Sequence, residues 1–189
     1  MRKKTAATSA RARRTAGLSA VELTLLISVV AIVLAASAPA FVRALRVSKV
    51  SEAPHQLTRL SQQAAAYYAA VHSTEAGLRT SCLPAPAGPA PAQPSTTPVS
   101  VVFGAPETPG SATWLALGYE PLEPIRFRYS VATSGEGCTT PAHTPRTLVL
   151  RAEGDLDGDG TTSLFERTLT VSEGELRLDP LLFTRDRTE

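Results

Sequence analysis

The sequence predicts an α+β fold, in which a long N-terminal helix packs on a small antiparallel β-sheet, the helix being apolar in its first half and amphipathic in its second. Three observations predict it. Leu23 to Val42 is nearly all Leu, Ile, Val and Ala, with Phe41, and is broken by Thr24, Ser28, Ser37 and Pro39. From Leu57 the apolar residues recur every three to four positions, as on one face of a helix. Beyond Ile125 the recurrence shortens to two, the period of a half-buried strand. A helix with one apolar stripe and a sheet with one apolar face bury each other, which gives the α+β layering. At 189 residues the chain suffices for one domain of ordinary core plus an appended segment. The expected organisation is a basic leader over 1–17, a membrane half of the helix over 18–43 and an amphipathic half over 44–80. A Pro-rich variable loop follows over 81–110, then a β-sheet head over 111–189.

The apolar run comes first. About 20 residues at about 1.5 Å each reach roughly 30 Å, the thickness of a bilayer core. A plain single-span anchor, a removable secretory signal and a span kept after processing on its near side all fit that length. Ala36-Ser37-Ala38 and Ala38-Pro39-Ala40 resemble signal-peptide cleavage sites, but Pro39 sits unfavourably in both. Arg2, Lys3, Lys4, Arg11, Arg13 and Arg14 precede Gly17 with no acid among them. Setting these six aside turns the formal charge of +2 into −4 for the rest of the chain. A net-acidic body argues against nucleic acid as a partner, and a basic block directly before an apolar span sets membrane orientation.

The near edge of the span reads Gly17-Leu18-Ser19-Ala20-Val21-Glu22-Leu23. An acid at the mouth of a membrane span is costly and marks function by default. This stretch resembles the processing site of the type IV prepilin family: Gly, an apolar residue, a hydroxyl residue, two more residues, then Glu and Leu. The resemblance implies cleavage after Gly17 and N-methylation of Leu18. Glu22 then falls fifth in the mature chain, and Pro39 twenty-second, where many pilins carry a helix-breaking proline. Leu18 in place of the usual Phe and a rather long leader depart from the commonest pattern. The family implies a structural filament subunit, of a type IV pilus or a secretion pseudopilus, and no enzyme. Its partners would be identical or related subunits, a prepilin peptidase/methyltransferase and an inner-membrane assembly platform. The head would face the periplasm before assembly. Glu22 and Pro39 are then assembly residues, Glu22 meeting the α-amino group of a neighbouring subunit. The competing reading is a single-span, periplasm-facing Ca²⁺-binding or adhesion module that never enters a filament.

Leu57, Leu60, Ala64, Tyr67 or Tyr68, and Val71 mark the amphipathic half, and one helix from about Leu18 to Ser73 is expected, bent near Pro39 and Pro54. Cys82 to Gly110 holds eight prolines without periodicity and reads as an extended or poorly ordered surface loop. Trp114, Leu115, Leu117 and Tyr119 form a short packed element. Ile125, Phe127, Tyr129 and Val131 alternate with Arg126, Arg128 and Ser130 as a strand, and Thr147–Glu153, Leu164–Val171 and Glu175–Asp179 are three more, with Gly174 at the last turn. The run from Trp114 to Tyr119 together with the Gly154–Gly160 segment is similar to pilin-like proteins of myxobacterial type.

Cys82 and Cys138 lack the neighbouring ligands of a metal site; in an exported body they would form a disulfide, the alternative being two buried thiols. Asp155, Asp157 and Asp159, followed by Gly160, Thr161 and Glu166, follow the ligand order of an EF-type Ca²⁺ loop. The flanks read as strands, so the same residues also suit a plain Asp/Gly hairpin connection. A Ca²⁺ held there would be structural, with the three Asp residues better placed than Glu166. His55, His72 and His143 are scattered, and each reads as a solvated residue.

Overall fold

The computed structural model describes residues 19–73, 77, 79–134, 138 and 146–187. The chain divides into two compact units, Met1–Arg43 and Ala44–Glu189, and the boundary falls within the first helix.

In the first unit, helix α1 (Ala20–Val50) begins one residue after Ser19 and runs through Pro39. Its Ala20–Phe41 stretch is long and apolar enough to cross a membrane, by length and composition, and its residues are exposed. The hydroxyls in this stretch bond back to the helix itself. Thr24 Oγ1 donates to Val21 O at 2.9 Å, Ser28 Oγ to Thr24 O at 2.8 Å and Ser37 Oγ to Val33 O at 2.7 Å. Such local bonds let a hydroxyl sit in an apolar medium without an unsatisfied donor.

In the second unit α1 ends at Val50 and α2 (Glu52–Ala69) starts after the single turn residue Ser51. The expected single helix is therefore two, and Pro54 explains the break. It has no N–H to offer the carbonyl of Val50, and its ring crowds that carbonyl. Within the first turn of α2 the same residue is tolerated, because those N–H groups have no intrahelical partner. The buried face of α2 comprises Ala53, Gln56, Leu57, Leu60, Ser61, Ala64 and Tyr68. Val71 falls outside it: the chain turns extended at Ala70, and Val71 is exposed. A short hairpin of β1 (His72–Ser73) and β2 (Arg79–Thr80) follows.

The main sheet is antiparallel in the order β3 (Ala87–Ala90), β4 (Arg128–Ser134), β5 (Arg146–Gly154), β6 (Ser163–Ser172) and β7 (Glu175–Arg185). All five pair as antiparallel neighbours, and α2 covers the face that carries Tyr129, Val131, Leu148, Leu150, Phe165 and Leu169. The alternation from Ile125 to Val131 holds, all four apolar residues being buried. The ladder itself starts only at Arg128. Glu173 (φ 55°) and Gly174 (φ 82°) form the two-residue turn joining Ser172 to Glu175, both left-handed as a type I′ hairpin requires. β7 continues six residues past the expected Asp179. Asp179, Pro180 and Leu181 bulge out opposite Thr168, which lets an edge strand carry a proline and resume pairing at Leu182.

The Pro-rich segment corrects the expectation of a surface loop. It supplies edge strand β3 and buries Cys82, Leu83, Ala87, Ala90 and Phe103. Helix α3 (Ser111–Leu117) then sets Trp114 beneath it. Phe103 meets Trp114 and Tyr119 edge-to-face, each at 5.0 Å between ring centroids, and Tyr119 lies 6.0 Å from Tyr129. Small residues between the prolines permit this close approach. At Gly88 (φ 88°) a Cβ would stand 2.5 Å from Tyr129 O. Cys82 and Cys138 are joined in a disulfide with Cα atoms 4.3 Å apart.

Candidate functional site

Gly17 and Leu18, the expected processing pair, lie outside the described residues, as do the 1–17 leader and His143. The adjoining start of α1 is described. Ser19 N–H donates to Glu22 Oε2 at 2.8 Å, and Glu22 N–H donates to Ser19 Oγ at 3.2 Å. This reciprocal pair is a capping box, Ser-x-x-Glu satisfying two of the orphan N–H groups at a helix start. The cleavage motif alone implies no such role for Ser19; its three-residue spacing to Glu22 is the signal in the sequence. Pro39 lies inside α1 seventeen residues beyond Glu22.

The acidic turn brings Asp155, Asp157 and Asp159 together, with one carboxylate oxygen of each within 4.8 Å of the others. Asp155 Oδ1 accepts Gly158 N–H at 2.7 Å and its Oδ2 accepts Gly160 N–H at 3.1 Å, while Asp159 Oδ1 accepts Thr161 N–H at 2.6 Å. These bonds hold a hairpin connection between β5 and β6. Three carboxylates of hard oxygen could hold a Ca²⁺, and the Thr161 position follows them directly. Glu166 stands apart. It faces Arg151 across the β5–β6 ladder and accepts from Arg151 Nε at 2.6 Å, so it is a cross-strand partner and not a member of the Asp group.

A third constellation was not foreseen. Glu52, in the first turn of α2, inserts its carboxylate against the start of β4. Oε1 accepts Arg126 N–H at 2.9 Å, Phe127 N–H at 3.2 Å and the Tyr129 hydroxyl at 3.2 Å. The main-chain donors at 126 and 127 are thereby used by a side chain, which is why the β4 ladder begins at Arg128. One turn further along α2, Gln56 Oε1 accepts the Tyr119 hydroxyl at 3.3 Å. Burial pushes both phenols up from their ordinary value of 10, with Glu52 adding to the rise, so both stay protonated as donors. Beside this network lies a cleft of about 270 Å³ lined by Lys49, Glu52, His55, Gln56, Glu123 and Arg126, among others. The sequence carried a signal: Glu52, Gln56, Leu60, Ala64 and Tyr68 run at four-residue steps, so a carboxylate and an amide share the buried line of the helix.

Comparison with protein-family models, with curated proteins and with solved structures gives no match to this chain. The functional reading therefore rests on the chain's own residues.

Proposed function

We propose that this protein is a structural subunit of a type IV pilus-like filament, held in the inner membrane through α1 before assembly and joined to its neighbours through the same helix afterwards. The observation that carries this reading is an uncovered apolar helix with an acid at its start. Val21 is 72% exposed, Ile32 68% and Phe41 65%, in a stretch where every described side chain is exposed. Such a surface needs a non-aqueous cover, supplied by lipid in one state and by packed copies of the helix in the other. The carboxylate caps its own helix in either state, and assembly gives it a second use. Cleavage after Gly17 would create an α-amino group, cationic near neutral pH. Ser19 occupies Glu22 Oε2, and the second carboxylate oxygen has capacity to accept the amine of a neighbour. A buried ion pair of that kind fixes one axial register between helices.

The partners are then copies of this or related subunits, a prepilin peptidase/methyltransferase and a membrane assembly platform. The head faces the periplasm, and its role is structural. The measurement that tests the reading is the intact mass and N-terminal residue of protein in sheared surface filaments. N-methyl-Leu18 is expected. A membrane-bound protein retaining residues 1–17, with none in the sheared fraction, would overturn it. That result would favour the second reading, a single-span anchored module, for which the Asp155–Asp159 turn is the supporting feature.

A further inference from the structure

The two edges of the main sheet are closed to different degrees. β3 is four residues long and carries Pro89, a short edge blunted by proline. β7 runs for eleven residues, and among the described residues no strand pairs with its far side. The turn before it fixes where its main-chain groups point. Ser172 and Glu175 flank a two-residue turn and so form a hydrogen-bonded pair, which makes every second residue of β6 from Ser172 back to Leu164 bond toward β7. Phe183 and Arg185, opposite Glu166 and Leu164, therefore aim their N–H and C=O groups at β6. Leu182 and Thr184 aim theirs outward. Pro180 blunts the strand before this stretch and not within it. Leu181 is 76% exposed and Phe183 55%, so open main-chain groups sit beside uncovered apolar side chains, the combination that invites a further strand.

We propose that this edge pairs with the same edge of a second copy, the two β7 strands running antiparallel about a two-fold axis at Phe183. In that register the N–H groups of Leu182 and Thr184 donate to the C=O groups of Thr184 and Leu182 of the second copy. Phe183 meets its counterpart across the axis, and Leu181 lies against the aliphatic stem of Arg185 of the second copy. Asp179 and Arg187, opposite in charge, come together at each end. The neighbouring registers fit less well. Centring on Leu182 sets Pro180 opposite Thr184, where a donor is required and proline has none. Centring on Thr184 runs into Asp186 (φ 49°), beyond the end of the strand. A segment that complements its own reverse in hydrogen bonds, apolar contact and charge points to a second copy as its occupant. A two-fold contact closes on itself, so it is separate from the repeating helix contact of a filament and does not rest on that reading.

The test uses the full chain in maltoside micelles, with single cysteines added to a protein whose own two are bonded to each other. Leu181→Cys mixed with Arg185→Cys should crosslink under mild oxidation several times faster than either variant alone. Four residues at about 3.4 Å set like positions about 14 Å apart along the strands, too far for a disulfide. Glu173→Cys, in the exposed turn, reports the crosslinking that shared micelles alone produce. Hydrogen exchange at the Leu182 and Thr184 amides should slow as protein concentration rises. Thr184→Pro removes an outward donor and should abolish both signals. Should it unfold the head by circular dichroism, Phe183→Lys serves instead, setting two like charges across the axis. Equal rates in mixed and single samples, rates no faster than that of Glu173→Cys, or exchange at Leu182 and Thr184 independent of concentration would overturn the proposal.

Discussion

Glu22 and Glu52 are two carboxylates at helix starts with opposite energetics. Glu22 is surrounded by exposed apolar residues and partnered within the chain only by its own cap. Replacing it with Ala removes a capping interaction of about 1 kcal/mol from a helix whose length and apolarity are unchanged. Glu22→Ala should therefore still insert and be processed, while its yield in sheared filaments falls severalfold or more. Normal incorporation of that variant would sink the assembly role. Glu52 by contrast is a fixed part of the head, its side chain only 13% exposed. Glu52→Ala leaves the Arg126 and Phe127 N–H groups and the Tyr129 hydroxyl without their acceptor, at about 1–3 kcal/mol for the first group left unpaired. A loss of roughly 2–4 kcal/mol in a denaturant titration is expected, and a change below about 0.5 kcal/mol would show that water replaces the carboxylate. Tyr119 and Tyr129 make the same network sensitive to alkali. Their folded-state values lie above the ordinary 10 because burial opposes the phenolate. Their contribution is thus complete below about pH 10 and is lost as pH rises above it toward the folded values. The decline should reach about 1.4 kcal/mol per pH unit for each phenol. A stability that stays flat between pH 10 and 11.5 would contradict the buried placement of both.

The acidic turn between β5 and β6 carries two separable roles. Asp155 bonds two N–H groups of its own turn without any metal, so Asp155→Ala should cost about 1–2 kcal/mol even in chelator. Ca²⁺ binding would add a concentration-dependent rise in melting temperature, lost in Asp157→Asn with Asp159→Asn. A melting temperature that is the same in excess Ca²⁺ and in chelator leaves only the turn role. Legibility in the sequence follows from how local the cause of each element is. The strand alternation, the Gly174 turn and the buried line of α2 depend on residues close in sequence, and these were readable. The extension of β7 was hidden by Pro180, because a bulge that rescues a proline is decided by the partner strand. The β3 segment was hidden in the same way: its prolines suppress periodicity, and its burial comes from Phe103, Trp114 and Tyr129, distant in the chain. Glu52 was overlooked because its partners lie more than seventy residues away. The Ser19–Glu22 cap was local, and only its coincidence with a processing motif obscured it.

The Cys82–Cys138 bond bears directly on how firmly the head stays folded. It ties the chain just before β3 to the chain just after β4, across a separation of 56 residues that includes α3 and the aromatic cluster. The two segments already meet without it, through the pairing of Ala87 with Val131 and a bond from Thr133 Oγ1 to Pro84 O at 2.6 Å. The bond therefore adds little to native contacts, and its effect falls on the unfolded chain. Closing a loop of that length lowers the entropy of the unfolded ensemble by the equivalent of about 4 kcal/mol in the chain-entropy account. For a head of this size that corresponds to roughly 10 °C in melting temperature. Cys82→Ser with Cys138→Ser should fold to the same sheet, with unchanged far-ultraviolet circular dichroism, yet melt about that much lower. Reduction of the native protein should give the same shift, and the double variant should be insensitive to reductant. If the double variant melts with the wild type, the β3–β4 contacts alone hold this edge of the sheet, and the disulfide matters for covalent integrity under load and not for folding stability. Pulling single subunits by their ends, with and without reductant, would then separate the two: the disulfide shortens the length released on unfolding by the 56-residue loop whether or not it changes the melting temperature.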